Sequence, residues 1–468
     1  MKFVDCFLDN IPKEIFPLFP SLKSLDISGT SLARLEYYDF MFNRLTVINA
    51  SFNHLNRIGP KMVLQSENLE SLDLSHNLIS RINPDAFRYN ENFKYLNLSH
   101  NNIGKLDIYF FQPLRSLLVL HVDNNQIKEI SGNFTNFKMN LKEFYLQNNM
   151  LKTLDPSLVR TVSILDVSRN KIKEAKFHFS SLIELSISEN SLTVLTIGEN
   201  LKKLDASGNH ETSFLFDFKK NKILKHLDLS SAQLKSKKDT FASILTLNQL
   251  TYLDLSHVDV ELKDKMFEKL PELETLKLSK LDRDRLEFPK KIFINLNKLK
   301  FLDFSFNAME YLELKELDAL KSLETLIVDH CRIQELRSWR NVSTFLPKLK
   351  EINFYGNLLD CFEIQQIVRT FMRKGIKIID LDGEGKEDFI HHSCDELRHN
   401  DHDVKIDAKI AEKDYDARTT SHTLIWWLVG CFIVCCAIGV AVVAYQKLSF
   451  FKKWKGLQYR TEGFSDAE

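Results

Sequence analysis

The densest run of metal-type ligands in the chain is DLDGEGKEDFIH, Asp380 to His391. Asp380, Asp382 and Glu384 fall at positions 1, 3 and 5 of a calcium loop, and Gly385 falls at the sixth. His391 stands where the bidentate Glu belongs, and the eighth position carries the charged Glu387. The segment therefore reads as a solvated loop. His76, His100, His257 and His330 share one position of a recurring pattern, facing solvent, but no second ligand type accompanies them. Of the seven cysteines, Cys431, Cys435 and Cys436 share one apolar run. The other four, Cys6, Cys331, Cys361 and Cys394, form no CxxC pair and no zinc-spaced set with histidine. No G-x-S-x-G, H-E-x-x-H, P-loop or dinucleotide fingerprint occurs. The expectation is a non-enzyme with no catalytic residue, cofactor or metal, so any function must come from a surface.

The elements that would carry such a surface are written by leucine, 69 of the 468 residues, beside only 14 Gly and 10 Pro. The pattern L-x-x-L-x-L-x-x-N aligns fifteen times, starting at Leu22, Leu45, Leu69, Phe93, Leu117, Leu141, Val162, Leu182, Leu201, Leu224, Leu250, Leu273, Leu299, Leu323 and Leu349. A degenerate copy fits Phe3, Cys6 and Leu8. In LESLDLSHN, Leu69 to Asn77, Leu72 and Leu74 alternate with polar residues, as a strand with one buried face requires. No repeat can bury its leucines alone, so neighbours stack and the strands join into one long parallel sheet.

The pattern resembles the leucine-rich repeat family over about residues 1–395. The resemblance implies an α/β solenoid, a curved horseshoe with a parallel β-sheet on its concave side. The recurrent Asn53, Asn77, Asn101, Asn125, Asn149, Asn170, Asn190, Asn209, Asn307 and Asn357 would form a buried hydrogen-bonded ladder. Thr30, Ala232, Val258, Leu281 and Cys331 replace the asparagine, and three consecutive departures predict irregularity from Ala232 to Leu281. Cys331 and Cys6 read as buried structural thiols. Phe40, Phe87 and Phe111 share one position and predict a convex aromatic spine. The repeats from Leu141, Val162 and Leu182 shrink to 21, 20 and 19 residues, which narrows the outer wall.

Charge narrows the partner. The 63 basic and 63 acidic residues cancel, which excludes bulk nucleic-acid binding. Recognition falls to outward strand residues, held on a rigid sheet and different in each repeat. The residue inside each L-x-L reads Asp26, Asn49, Asp73, Asn97, His121, Tyr145, Asp166, Ser186, Asp205, Asp228, Asp254, Lys277, Asp303, Ile327 and Asn353. Its seven aspartates suggest an acidic stripe, although Asp is also common in the LDLS form of the repeat. Val119, His121, Glu143, Tyr145 and Ile164 form one candidate ligand-binding patch, with Tyr252 and Phe301 as a second. Asn49, Asn97, Asn133 and Asn341 begin N-x-S/T sequons. Sugar on Asn49 and Asn97 would push recognition towards the middle or C-terminal repeats.

The expected boundaries are repeats 1–360, a cap 361–394, a stalk 395–422, a span 423–445 and a cytoplasmic tail 446–468. Apolar spacing predicts a helix from Phe362 to Met372 that covers the last hydrophobic face, followed by a strand-like IKIID. Cys361 and Cys394 resemble the flanking cysteines of secreted leucine-rich repeat proteins, and the resemblance implies a disulfide between them. Leu424–Tyr445 carries 22 residues without a charge, enough to cross a bilayer, with Trp426, Trp427 and Tyr445 near its ends. Lys447, Lys452, Lys453 and Lys455 follow it and place the C-terminus in the cytoplasm. Residues 1–20 show no secretory leader, so the expectation is a true start further upstream. Taken literally, the chain would be tail-anchored with cytosolic repeats, against which the sequons and cap cysteines weigh.

The chain is similar to the ectodomains of Toll-type receptors and to the leucine-rich repeat immune proteins of insects. The resemblance implies a plasma-membrane, single-pass type I receptor or co-receptor with extracellular repeats. It would bind protein ligands in innate immunity, signal through a cytoplasmic partner, and pair with itself or another leucine-rich repeat protein. No intrinsic signalling domain is expected. The alternative is a cell-adhesion or guidance molecule built on the same ectodomain.

Overall fold

The computed structural model divides into two units, Met1–Phe389 and Ile390–Glu468. It describes residues 1–379 apart from 5, 41–43, 64–65, 133–139, 178–179, 211–214, 219–220, 235–236, 282–285, 287 and 290. The calcium-like loop, Cys394, Asn133, the stalk 395–422, the span 423–445 and the tail 446–468 lie outside the described residues. Among the described residues, no helix is long and apolar enough to cross a membrane.

The repeats form one parallel sheet of sixteen strands among the described residues, in strict chain order. We number them β1 (Ser24–Asp26), β2 (Val47–Asn49), β3 (Ser71–Asp73), β4 (Tyr95–Asn97), β5 (Val119–His121), β6 (Glu143–Tyr145), β7 (Ile164–Asp166) and β8 (Glu184–Ser186). The second half is β9 (Lys203–Asp205), β10 (His226–Asp228), β11 (Tyr252–Asp254), β12 (Thr275–Lys277), β13 (Phe301–Asp303), β14 (Thr325–Ile327), β15 (Glu351–Asn353) and β16 (Lys377–Ile378). Each strand has three residues except the last, and in β1–β15 the middle one, an apolar residue such as Leu72 or Leu96, is completely or almost completely buried. Its two neighbours face outward, as period-two alternation demands.

The asparagine ladder is present. Asn77 Nδ2 donates to the carbonyls of Ala50, Leu74 and Ser75 at 3.0–3.1 Å, while its Oδ1 accepts from Leu55 N–H at 3.0 Å. One side chain thus satisfies backbone groups of its own turn and of the preceding repeat. Cys331 fills its slot by directing Sγ at the carbonyls of Phe304 and Asp329, 3.1 and 3.3 Å away, and is fully buried.

Two expectations need correction. On the inner sheet the stretch from Ala232 to Leu281 keeps an unbroken register, with Asp228 opposite Asp254 and Asp254 opposite Lys277, and the irregularity falls on the outer side, where a helix runs from Lys237 to Ile244. Ala232 and Val258 close their turns locally instead, donating to the carbonyls of Leu229 and Leu255 at 3.0 and 3.2 Å. Apolar side chains there need no amide because the backbone satisfies itself. Cys6 is only half-buried, since its repeat is packed on one side alone.

On the outer side Phe40, Phe87 and Phe111 are fully buried, and the rings of Phe87 and Phe111 stack at 6.0 Å. Glu174–Phe177 and Val194–Ile197, in the shortened repeats from Val162 and Leu182, pair with Leu215–Asp217 of the following repeat in a three-stranded parallel outer sheet. Two-stranded outer pairs join Arg57–Ile58 to Arg81–Ile82, Lys105–Asp107 to Glu129–Ser131 and Tyr311–Glu313 to Glu335–Arg337. The shortened repeat from Leu141 keeps a single helical turn, Pro156–Val159, on its outer side. After the repeats a helix runs from Cys361 to Arg373, capped by Asp360, which accepts from the N–H groups of Phe362 and Glu363. It buries Ile364, Ile367 and Phe371, whereas Phe362 points outward at 65% exposure, contrary to its place in the apolar spacing. β16 then pairs with β15.

Candidate functional site

Parallel register brings the first patch together. Glu143 pairs with Val119 on one side and Ile164 on the other, and Tyr145 with His121 and Asp166. All five candidate residues are half-buried on the open face of the sheet. The imidazole of His121 stacks on the Tyr145 ring at 4.3 Å, and the Tyr95 ring approaches it from the other side at 5.5 Å. The Tyr145 hydroxyl donates to Glu143 Oε2 at 2.9 Å. Burial, the Glu143 bond and the charges of Glu143, Asp166 and Glu184 push the Tyr145 phenol up to about 12. Tyr95 is raised by burial and by Asp73 and Asp123. This part of the sheet is aromatic and surrounded by negative charge.

Tyr252 and Phe301 do not form a patch. Thr275 of β12 lies between them, opposite Tyr252 in one direction and Phe301 in the other. Tyr252 stacks instead on His226 at 3.9 Å, with Lys277 Nζ 5.6 Å from its ring centre. Two residues on alternate strands share a row without touching.

The acidic column proves largely structural. Asp26, Asp73, Asp166, Asp205, Asp228, Asp254 and Asp303 each accept from the backbone N–H two residues on, at 2.8–3.1 Å. Asn49, Asn97 and Asn353 do the same. These side chains hold the strand exit, so their spacing reports the turn rather than a ligand. His121, Tyr145, Ser186, Lys277 and Ile327 replace the capping residue, and His121 and Tyr145 are the pair that does so on adjacent strands.

Sequence reasoning passed over two neighbours of that exception. Two residues after the capping position the chain has Ser in eleven repeats, but Asp123 and Gln147 after His121 and Tyr145, and Asp329 and Tyr355 in the last two repeats. That interruption was the available signal. Asp123 is 6% exposed; its Oδ2 accepts from Asn124 Nδ2 at 2.7 Å, and Asn148 Nδ2 donates to Asn124 Oδ1 at 2.8 Å. Its Oδ1 accepts no hydrogen bond and lies 3.4 Å from His121 Nδ1. Burial opposes the charge on Asp123, but His121 and Asn124 outweigh it and hold the carboxyl below the usual range. Gln147 Oε1 is also buried without a partner.

The residue before each ladder position, from Gly29 through His76 and His100 to Gly356, has a positive φ in all fifteen repeats. Phe52, His76 and His100 stack there as consecutive parallel rings at 4.1 and 4.0 Å, while His330 stacks on Phe306 at 4.7 Å. Three sequons can be placed. Asn49 and Asn97 lie half-buried in β2 and β4, and Asn97 Nδ2 donates to Asp73 at 3.3 Å. Asn341 is exposed on an outer turn. Cys361 opens the C-terminal helix, and the free thiols among the described residues are Cys6 and Cys331.

A family model described as leucine rich repeat matches residues 43–103. A leucine-rich repeat protein of Leptospira interrogans has a TM-score of 0.59 at 20% identity, covering 81% of this chain and 100% of that one. The LRIM1/APL1C complex gives 0.57 at 21% identity, over 89% of this chain and 74% of that one. TLR13, in a TLR13–ssRNA13 complex, gives 0.52 at 22% identity, over 76% of this chain and 53% of that one. These neighbours include a Toll-like receptor and insect immune proteins, the groups whose repeats this chain resembles, and at such identities the likeness is one of fold. No curated protein matches the chain in sequence.

Proposed function

We propose that this chain, a leucine-rich repeat protein, is a cell-surface receptor or co-receptor of innate immunity that binds a protein ligand. The repeats lie outside the cell, the run 423–445 spans the membrane, Cys361 pairs with Cys394, and the protein is not an enzyme. One observation carries the binding role: the open face of β5 and β6 presents the His121–Tyr145 stack, two adjacent aromatic rings, at a position that ten of the fifteen repeats spend on capping their own turn. A side chain released from that structural duty on a rigid sheet is free for recognition. Tyr is well suited to it, with large contact area and little rotamer entropy to lose. Carboxylates around the stack disfavour a nucleic-acid phosphate, so the ligand is protein. Adhesion or guidance would use the same face and is the second reading.

Intact cells expressing the full chain test the topology. Surface biotin should label the repeats, and glycosidase should increase mobility on a gel. Repeats shielded from biotin and insensitive to glycosidase would refute it. Induction on infection separates immunity from adhesion, for which a junctional pattern is expected.

A further inference from the structure

Four features of β4–β8 converge on one chemistry. Glu143, Asp166 and Glu184 act together on Tyr145, and Asp73 and Asp123 on Tyr95, so carboxylates surround the stacked rings. The cations facing this stretch are mostly committed: Lys94 pairs with Glu70 at 2.8 Å and Lys203 lies 3.9 Å from Glu184. Asp123 is a nine-tenths buried carboxylate whose Oδ1 has the His121 imidazole 3.4 Å away and accepts no hydrogen bond within normal geometry, and Gln147 in the next repeat leaves its buried carbonyl oxygen without a partner. Asn124 and Asn148 link those two repeats side by side. Buried acceptors without donors cost free energy unless something donates to them.

We propose that the His121–Tyr145 face is an acceptor-rich subsite for a basic segment of the protein ligand, an arginine or lysine side chain lying over the rings and donating towards Asp123 and Gln147. The assignment rests on the receptor reading and adds the ligand's chemistry to it. Each group has a distinct part. Tyr145 and His121 give an apolar floor that excludes water from the contact. Glu143 and Asp166 supply the long-range attraction that steers a cation to it. Asp123 and Gln147 offer acceptors that an anionic or purely apolar ligand would leave unpaired, which provides selectivity. Where the same sheet carries Asp254, the ammonium of Lys277 lies 3.6 Å away, whereas the neighbour of Asp123 is an imidazole at 3.4 Å.

The test uses the full chain in detergent with fluorescein-labelled nona-arginine and nona-glutamate peptides. Nona-arginine should bind and nona-glutamate should not. The double variant Asp123→Asn, Glu143→Gln should weaken the arginine peptide roughly tenfold or more, whereas Asp303→Asn, a carboxylate on distant β13, should leave it unchanged. Glu143→Gln alone, at a half-exposed position, should weaken binding by a smaller factor and keeps the test open if the double variant does not fold. No binding of nona-arginine, or equal losses for the β5–β6 and β13 variants, would overturn the subsite. Neither result touches the receptor reading, which stands or falls on surface labelling.

Discussion

The imidazole of His121 lies flat against the phenol of Tyr145, ring centres 4.3 Å apart and planes within 9° of parallel. The two residues sit in successive repeats at one position, and exact parallel pairing makes them neighbours. Stacking across repeats is therefore how this fold builds a surface: a sequence separation of one repeat becomes a contact.

Asn77→Ala is expected to destabilise the protein by about 2–4 kcal/mol, because four backbone partners lose their bond in a buried site. Asn102→Ala, on the exposed side of the next turn, is expected to cost no more than about 0.5 kcal/mol. Urea unfolding of the two variants against the parent chain makes the comparison.

Asp228→Asn is expected to stabilise the protein at neutral pH. Burial, with Asp254 and Asp205 nearby, raises the Asp228 carboxyl above its ordinary value of 3.8 despite its bonds to Ser230. A carboxyl raised in the folded state favours folding in its protonated form, and that contribution is lost as pH rises through the folded value. Asn keeps the turn-capping acceptor without the charge. Its advantage should be full at pH 7 and vanish below about pH 3.8, read as urea midpoints across the range.

The two free thiols among the described residues should react in sequence. Cys331 is fully buried, and burial pushes its thiol up to about 12, so it should resist alkylation until the chain unfolds. Cys6 is half-exposed and should be labelled in the native state. Iodoacetamide labelling with peptide mass analysis, with and without urea, distinguishes them.

Glycan occupancy should be highest at Asn341, which is exposed on an outer turn. At Asn97 it should be low, because the amide already donates to Asp73 and the sequon's Ser99 is buried at 7% exposure. Site-resolved peptide mass spectrometry of the secretory-pathway product measures both. Dominant occupancy of Asn97 would show that attachment precedes folding of β4.

Much of this was legible because the repeat imposes it. The leucine phase located every inner strand from β1 to β15, and the asparagines located the ladder, since each residue type has one job at one position. The helix expected at Phe362–Met372 runs from Cys361 to Arg373 for the same reason. What escaped was relational. Phe362 has the right spacing yet turns outward, because helical phase fixes a face only to within one residue at its ends. Tyr252 and Phe301 share a row but not a contact, because a strand intervenes. Asp123 and Gln147 were visible only as interruptions in a column of serine, whose role becomes apparent once the capping bonds are seen.

The short outer strands at Glu174–Phe177, Val194–Ile197 and Leu215–Asp217 have a mechanical consequence. Across these repeats the solenoid is laced by hydrogen bonds on both walls, whereas repeats with irregular outer turns are laced chiefly on one. The outer pair Lys105–Asp107 and Glu129–Ser131 laces the repeats of β4 and β5 in the same way, so a bending load finds both stretches stiff and falls on the repeat of β6 between them. The His121–Tyr145 stack crosses the joint between β5 and β6, so a pull on a bound partner would meet a double-laced repeat on its His121 side and a yielding one on its Tyr145 side.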